Sequence, residues 1–226
     1  MCGFSRRFDA SYREAHARIA QGTYGQPVVF RSQTADLYDP SGFFVEYAKT
    51  SGGIFLDCSI HCIDLMLWFF GEDCQIKSIQ AIGAAAVHPA LEASNDRDNA
   101  IATVEFFGGR IATLFCSRMM AAGQEDTTEV FCTKGSLRVN LQGRRNLVET
   151  HDSTGARREL PQHYYERFRE AFVTEAQEFT ASCLDNKPPP ISLQSSVRAV
   201  TIGQALQRSL ITGEKLFFNE KGLAKL

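Results

Sequence analysis

The segment of residues 52–65, GGIFLDCSIHCIDL, constrains the chain more than any other, because it combines a helical apolar pattern with ionisable groups. Residues 56–70 are apolar almost throughout, and this length suits one buried helix. At about 3.6 residues per turn, four apolar side chains share one helix face, which predicts a surface directed to the core: Leu56, Ile60, Ile63 and Leu67. Gly52 and Gly53 before this helix allow a sharp turn and a close approach to a ligand.

Three ionisable side chains in this segment predict a functional cleft. Asp57, His61 and Asp64 stand four and then three residues apart, so the same period places them in one polar stripe opposite the core face. A charge removed from water is unfavourable unless it is paired, so the stripe indicates a cleft that holds a ligand. His61 is the candidate proton carrier, because imidazole titrates near neutral pH, and Asp57 is one turn away to orient its ring.

The residues of this segment also allow two other interpretations. An Asp near a helix N-terminus is favoured by the helix dipole, and a histidine can simply find a partner in the core. Cys58, His61 and Cys62 are close on a helical wheel and could contribute to a metal site. No second Cys or His pair stands at ligand spacing to complete a tetrahedron, so we predict no metal.

Several stretches spread over the chain resemble one family, the Gfo/Idh/MocA oxidoreductases, and in particular its myo-inositol 2-dehydrogenase branch. The segment around His61 is similar to the family's G-G-x-x-x-D-x-x-x-H-x-x-D helix. Five further stretches agree with the family pattern: GFSRRFDASY at 3–12, DRDNA at 96–100, the G-x-L after Lys134, RFREAF-x-x-E at 167–175, and the final helix before Gly213. Together these stretches span nearly the whole chain.

This resemblance implies a role for five residues in the oxidation of a secondary CH–OH group of a polyol or sugar. His61 would take the hydroxyl proton, and Asp57 would orient the base or bind hydroxyls. Arg6, the first arginine of the GF-x-RR-x-D run, would reach the active cleft. Asp36, in a T/S-x-D pattern, would bind substrate hydroxyls, and Asp64 would support the substrate side. The resemblance also implies NAD or NADP as the cofactor.

The sequence departs from the family pattern in three places. No G-x-G-x-x-G turn and no E-K-P lysine run occur in the chain, and residues 122–124, Ala-Gly-Gln, stand where the family often has Tyr-Gly-Tyr. We therefore expect residues 1–226 to form the substrate-binding and catalytic C-terminal domain without a Rossmann domain. We expect this chain alone neither to bind NAD(H) tightly nor to oxidise a polyol. The alternative is a non-catalytic sugar-binding or oligomerisation module.

Periodicity predicts an α+β fold with a large, mostly antiparallel open sheet and helices on one face. Asp9 is expected to cap a helix over 11–21, and a strand that begins at Pro27 is expected to end in a loop containing Asp36 and Asp39. A short helical turn is expected over 41–50. Further strands are predicted at 75–87, 100–107, 110–117, 128–132, 136–141, 146–150 and 157–160, with helices at 165–184 and 193–212. Turns this short favour antiparallel pairing, because parallel strands need long crossovers.

Composition excludes several classes of partner and location. The formal net charge of -2 offers no basic field, so nucleic acid is not an expected partner. No apolar run reaches the roughly 20 residues of a membrane span, and the first residues lack a signal-peptide core, so we expect a cytoplasmic protein. Seven scattered cysteines are expected to be reduced. His88, His151 and His163 fall in predicted loops and are expected at the surface.

Two of the predicted strands are apolar on both alternations in places. These strands are AIATVEFF at 100–107 and IATLFC at 111–116. An exposed apolar sheet face of this kind seldom stays in water. We therefore expect a homo-oligomer that forms through the uncovered face of the sheet.

Overall fold

The structure, a computed structural model, describes residues 1–221 of the chain. Its helices are α1 (Ala10–Ala20), α2 (Phe43–Ser51), α3 (Ile54–Asp57), α4 (Ile60–Phe70), α5 (Tyr164–Arg167), α6 (Arg169–Leu184) and α7 (Leu193–Thr212). Two 3-10 turns cover Ser5–Phe8 and Pro89–Ser94. The strands are β1 (Pro27–Leu37), β2 (Ile76–Ala84), β3 (Asn99–Phe106), β4 (Ile111–Met120), β5 (Glu125–Cys132), β6 (Gly135–Val139), β7 (Glu149–Asp152), β8 (Gly155–Arg158) and β9 (Leu216–Phe217).

Seven strands form one large sheet in the order β6-β5-β1-β4-β3-β2-β9, and β7 and β8 form a separate hairpin. Every neighbouring pair in the large sheet is antiparallel except β1 and β4, which are parallel. The first strand therefore inserts between β4 and β5 at the middle of the sheet. The predicted α+β fold with a mostly antiparallel sheet is confirmed, and the parallel pair is an addition that short turns did not indicate.

One face of the sheet is covered by helices, and its side chains change from apolar to polar along the strands. An apolar row crosses the sheet at one end through Val130, Phe30, Ala112, Val104 and Ile79. Two rows further along, the same strands present Asp126, Thr34, Cys116, Ala100 and Gly83. All but Gly83 of these ten residues are buried. The covered face therefore becomes polar towards one end of β1, β4 and β5.

The helix α4 and the helix α7 supply most of the cover. Helix α4 is apolar on nearly all sides and buries eight of its eleven residues, so it lies inside the core and not on its surface. Helix α7 packs on β2 and on α4, and it has the predicted bounds. Ser192 accepts a hydrogen bond from the Ser195 N–H at its start, and Gly213 ends it in a left-handed conformation.

The opposite face of the sheet carries several exposed apolar side chains within residues 1–221. A cross-strand row on this face runs through Ile82, Ile101, Phe115, Gln33 and Thr127. Ile82 is 63% exposed, Ile101 44% and Ile111 49%. The predicted apolar side chains on the outward-facing positions of these strands are therefore present in the folded chain.

Several predicted boundaries differ from the structure. The helix predicted over 56–70 is two helices, α3 and α4, and the one predicted over 165–184 is divided at Phe168 into α5 and α6. Asp36 lies within β1 and not in a following loop, because β1 continues its pairing with β4 as far as Leu37. Within residues 1–221, no helix combines the length and the apolar character needed to cross a membrane.

Candidate active site

A cavity of about 780 Å³ lies at the polar end of the covered face. It is enclosed by α2, the end of β1, the α3–α4 segment and residues 162–172. Four of the five sequence-predicted site residues line it: Arg6, Asp36, Asp57 and His61. Asp64 does not line this cavity. The structure thus brings together residues from three separate parts of the chain.

Asp57 and His61 lie on either side of an interruption in the helix. The N–H groups of Cys58 and Ser59 both donate to the Ile54 carbonyl oxygen, at 3.0 Å each. The Ser59 bond spans five residues, as in a π-type turn, and therefore changes the rotation of α4 relative to α3. Gly53 precedes α3 at φ 98°, a conformation that favours glycine. Its space is also restricted, because an added Cβ would lie 2.2 Å from the Gln207 side chain.

Asp57 is held by an arginine and not by His61. The Arg118 guanidinium donates to Asp57 Oδ2 at 2.6 Å and to Asp96 Oδ2 at 2.9 Å, and its side chain is fully buried. Asp96 Oδ1 accepts the N–H of Ile54, the first residue of α3, at 2.7 Å. Burial alone would lower the pKa of Arg118, but the neighbouring carboxylates raise it, so the group stays charged. The Asp57 carboxylate in turn raises the pKa of Tyr47.

His61 is an uncharged imidazole at neutral pH. Burial and the positive charge of Arg6 lower the pKa of His61 to about 3. Its Nδ1 atom is buried and has no hydrogen-bond partner within residues 1–221. Phe4 packs edge-on against the ring, with centroids 6.2 Å apart. The sequence predicted that Asp57 would orient the His61 ring. In the structure, the Phe4 ring packs against His61 instead.

Arg6 is a buried cation at the base of the cavity. It forms a salt bridge with Asp126 and donates to Thr34 Oγ1 at 2.8 Å. A further contact, of 3.4 Å, joins Arg6 Nη1 to Cys62 Sγ. Burial favours the neutral form, but the Asp126 carboxylate prevails and raises the pKa of Arg6. Thr34 and Asp126, on the covered face of the sheet, thus fix the position of the Arg6 guanidinium.

Asp36 is a carboxyl group with an unusual affinity for its proton. Burial raises the pKa of Asp36 to about 6, and the nearby Asp126 and Asp57 carboxylates act in the same direction. The Gln124 side-chain amide opposes this shift in the pKa. The same amide donates to Asp126 Oδ2 at 3.0 Å. Gln124 therefore lies near the acidic groups of two adjacent strands.

Asp64 lies in a different ion pair. Arg7 donates to both carboxylate oxygens of Asp64, at 2.7 and 2.8 Å, and also to Glu72 at 2.5 Å. Burial raises the pKa of Asp64 to about 6, against the effect of Arg7. Adjacent arginines thus have separate positions, because Arg6 lines the cavity while Arg7 joins α4 to the 3-10 turn at Ser5–Phe8. The predicted single stripe of three ionisable residues is wrong, since Asp64 does not share the surface of Asp57 and His61.

Aromatic side chains form much of the remaining cavity wall. Besides Tyr38, which directly follows β1, six of them line it: Phe43, Phe44, Tyr47, Tyr164, Phe168 and Phe172. They come from α2, α5, α6 and the α5–α6 junction, segments that sequence reasoning treated as connections or packing helices. Phe44 lies over the Arg118 guanidinium at 5.0 Å. Apolar rings around a few converging polar groups are typical of small-molecule sites.

Two further outcomes concern residues that sequence reasoning missed or placed elsewhere. Arg118 and Asp126 pair with Asp57 and Arg6, yet each lies in an ordinary strand pattern, and the sequence analysis assigned a role to neither. The prediction that His88 is a surface residue is wrong, because its ring stacks on Tyr38 at 5.3 Å and is 8% exposed. His163 is exposed as predicted, but it also lines the cavity.

The described residues do not fit a dinucleotide cofactor. The cavity lining contains one arginine and no glycine-rich strand-turn-helix to hold a pyrophosphate. The N-terminus of α1 is already occupied, since Asp9 accepts the Ser11 and Tyr12 N–H groups at 3.0 and 3.1 Å. The cavity described in residues 1–221 therefore presents carboxyl, imidazole and guanidinium groups but no cradle for a pyrophosphate.

Comparison with known proteins gives consistent relatives. The chain is 29% identical over 208 residues to myo-inositol 2-dehydrogenase of Thermotoga maritima, covering 92% of this chain and 61% of that protein. It is 34% identical over 189 residues to scyllo-inositol 2-dehydrogenase (NAD(+)) of Bacillus subtilis, covering 84% and 53%. The chain thus spans roughly 53–61% of the length of these curated relatives.

Solved structures share the fold. The structure of myo-inositol 2-dehydrogenase from Lactobacillus plantarum superposes with a TM-score of 0.90 at 30% identity, covering 96% of this chain and 64% of that one. Scyllo-inositol dehydrogenase from Lactobacillus casei, with bound NAD(H) and scyllo-inositol, gives 0.89 at 33% identity, with coverages of 96% and 64%. The family model for the GFO/IDH/MocA C-terminal domain matches residues 12–138. The chain therefore belongs to the GFO/IDH/MocA family of oxidoreductases.

Proposed function

We propose that this chain is the substrate-binding and catalytic part of an NAD(P)-dependent dehydrogenase that oxidises a secondary CH–OH group of a polyol or sugar to a ketone. The observation that carries this proposal is the convergence of Arg6, Asp36, Asp57 and His61 on one aromatic-walled cavity. The named inositol dehydrogenases among the relatives support a polyol as the substrate class.

His61 is the proposed acceptor of the hydroxyl proton. Its lowered pKa keeps the imidazole neutral at pH 7, so the ring has a free nitrogen lone pair for the proton. An imidazole whose protonated form has so low a pKa is too weak a base to deprotonate an ordinary alcohol on its own. It can take the proton as the carbon–oxygen bond becomes a carbonyl, since the oxygen then loses its affinity for the proton.

The acidic groups and Arg6 are proposed to position the hydroxyls. Asp57 is fixed by Arg118, so its free acceptor capacity is already oriented before a substrate arrives. Asp36, which keeps its proton to about pH 6, is suited to both donate and accept hydrogen bonds close to that pH. Asp64, which supports the α4 helix through Arg7, is proposed to act on the site only indirectly.

The hydride acceptor, NAD or NADP, is proposed to be held by a separate nucleotide-binding region. The chain by itself is proposed to bind neither cofactor tightly and to oxidise no polyol. Calorimetric titration of the purified chain with NAD⁺ and NADP⁺ tests this statement. Micromolar binding of either nucleotide would show that the described residues hold more of the cofactor than their contacts indicate.

Substrate binding has its own test in the purified chain. Saturation-transfer NMR with myo-inositol, scyllo-inositol and glucose is expected to show contact with the protein for at least one of the three. The signal should be lost in Asp36→Ala and kept in Asp185→Ala, whose carboxylate is exposed and pairs with Lys187. The polyol proposal fails if none of these compounds receives saturation from the folded wild-type chain.

A further inference from the structure

A second cavity, of about 440 Å³, lies where the β7–β8 hairpin meets α1 and α5. It shares no lining residue with the substrate cavity. We call it the arginine hollow, after the residues that dominate its lining: Arg144, Arg145, Arg158, Arg167, Asn140 and Gln142. Four guanidinium groups at one concave surface are notable on a chain whose formal net charge is -2.

Three of these arginines already face carboxylates. Arg167 pairs with Asp9 at 2.9 Å, and Arg158 pairs with Glu149. Arg145 lies 3.3 Å from Glu166 and 3.6 Å from Glu159. Each carboxylate offsets one charge, but a guanidinium carries five N–H donors, so one contact leaves most of them without an acceptor.

Arg144 and Arg145 provide N–H donors that are available to a ligand. Arg144 has no ion pair and no hydrogen bond within residues 1–221, and the Arg145 guanidinium donates no hydrogen bond there. Gln142 accepts from Arg158 Nη1 at 2.9 Å through its amide oxygen, which leaves its NH₂ group free to donate. The Arg144 guanidinium and the Gln142 NH₂ group thus line the hollow without an acceptor within residues 1–221. Arg145 adds N–H groups that its carboxylate neighbours, at 3.3 and 3.6 Å, do not fully occupy.

We propose that the arginine hollow is a binding site for a phosphate group. Planar guanidinium forks match the oxygen pairs of phosphate and bind them by two parallel, charge-assisted hydrogen bonds. A dianion also gains from the positive charge of Arg144, which no carboxylate offsets. Arginine and amide donors suit such an oxyanion, whereas a neutral sugar would leave the charges unmatched.

Glu166 makes the proposal specific, because it also lines the hollow and competes for Arg145. One of its oxygens faces Arg145, and the other accepts the Gln162 N–H at 2.9 Å. A bound phosphate would replace the first contact and would be repelled by the carboxylate. Removing the Glu166 charge should therefore strengthen phosphate binding.

Isothermal titration of the full chain with inorganic phosphate at pH 8, with ionic strength kept constant by sodium chloride, tests the proposal. We expect one saturable site. Arg144→Gln and Arg145→Gln should each weaken it at least roughly tenfold, the size expected for a charge-assisted bond. Glu166→Gln should tighten it several-fold. Arg18→Gln is the matched control, since Arg18 is exposed on α1 and pairs only with neighbours outside the hollow.

Circular dichroism and thermal melts establish that each variant is folded before titration. Because the arginines are exposed, both single variants should fold, and either one suffices to test the site. The proposal is overturned if the wild-type chain shows no saturable heat at millimolar phosphate. It is equally overturned if Arg18→Gln weakens binding as much as Arg144→Gln, since the effect would then be general electrostatics.

Discussion

The two faces of the large sheet differ in which groups they bury and which they expose. At its polar end the covered face buries Asp126 and Arg118, both fully inaccessible. The open face leaves Ile82 and Ile101 in contact with solvent. Asp126 and Arg118 each form an ion pair. Ile82 and Ile101 have no element packed over them within residues 1–221 and stay exposed. The buried charges of the covered face are therefore neutralised by this chain's own residues, whereas Ile82 and Ile101 on the open face remain exposed within residues 1–221.

This difference separates two physical requirements. Burying a charge is tolerated only when hydrogen bonds and opposite charges replace water, and Arg118 meets this condition through Asp57 and Asp96. Exposing an apolar row is tolerated when a partner covers it. We propose that the open face pairs two copies of the chain, while the covered face positions the substrate.

Removing the central charge of the covered face should have the largest effect. Arg118→Met keeps the side-chain volume but leaves Asp57 and Asp96 without their shared cation. Breaking a buried ion pair from one side typically lowers the free energy of unfolding by about 3–5 kcal/mol. Urea unfolding measures the loss. Arg157→Gln is the control, because Arg157 is 64% exposed in its pair with Asp152 and should change stability by less than about 1 kcal/mol.

His61→Ala tests proton transfer in the cavity that lies at the polar end of the covered face. When the chain is joined to the nucleotide-binding region of an inositol dehydrogenase, turnover should fall by about 10²- to 10⁴-fold, the usual contribution of a positioned general base. Steady-state assays of nicotinamide absorbance measure it. The exposed His151 on β7 provides the matched His→Ala control. A loss below roughly tenfold would mean that another group takes the proton.

Asp36 should give the covered face a pH-dependent stability. The pKa of Asp36 is about 6 in the folded chain, against about 3.9 for an unfolded Asp. The folded state holds this proton more tightly, so the stabilisation is full below about pH 3.9 and is lost as the pH rises through about 6. Asp36→Asn removes the ionisation and should stabilise the chain at pH 7.5 by at most about 3 kcal/mol.

Unfolding midpoints at several pH values measure this difference. The profile of Asp36→Asn should be flatter than that of the wild type between about pH 4 and 7. Asp185→Asn, at an exposed carboxylate, should leave the profile unchanged. A wild-type profile identical to that of Asp36→Asn would contradict the raised pKa.

A substitution on the open face should change the oligomeric state more than the free energy of unfolding. Ile101→Asp places a charge in the exposed apolar row beside Ile82 and Phe115. A dimer that buries this row should dissociate, while the folded chain loses on the order of 1 kcal/mol through the poor strand propensity of Asp. Light scattering coupled to size exclusion measures the mass. Val197→Asp, 58% exposed on α7, should not change it. A monomeric wild type at micromolar concentration would refute the pairing.

Local sequence signals predicted the elements that depend on neighbouring residues. The bounds of α7 follow from Ser192 and Gly213, and the Asp9 cap places α1 within one residue of its predicted start. Alternation located the main strands to within a few residues. One departure is the helix break at Cys58 and Ser59, whose N–H groups both donate to the Ile54 carbonyl oxygen, because apolar periodicity does not indicate this change in the bonding pattern.

The sequence by itself indicated Asp57 and His61 as candidate site residues, although the same pattern also allowed a capped core helix or a metal site. Only the tertiary structure decided their partners. The parallel pairing of β1 with β4 brings Thr34 beside Cys116 in register, and so places Asp36 and Arg118 at the same end of the sheet. Hydrogen bonds between residues about 60 positions apart, such as Arg118 to Asp57, leave no local pattern to read. Periodicity reports which face of an element is buried, whereas the identity of the opposing side chain depends on how the elements are packed together.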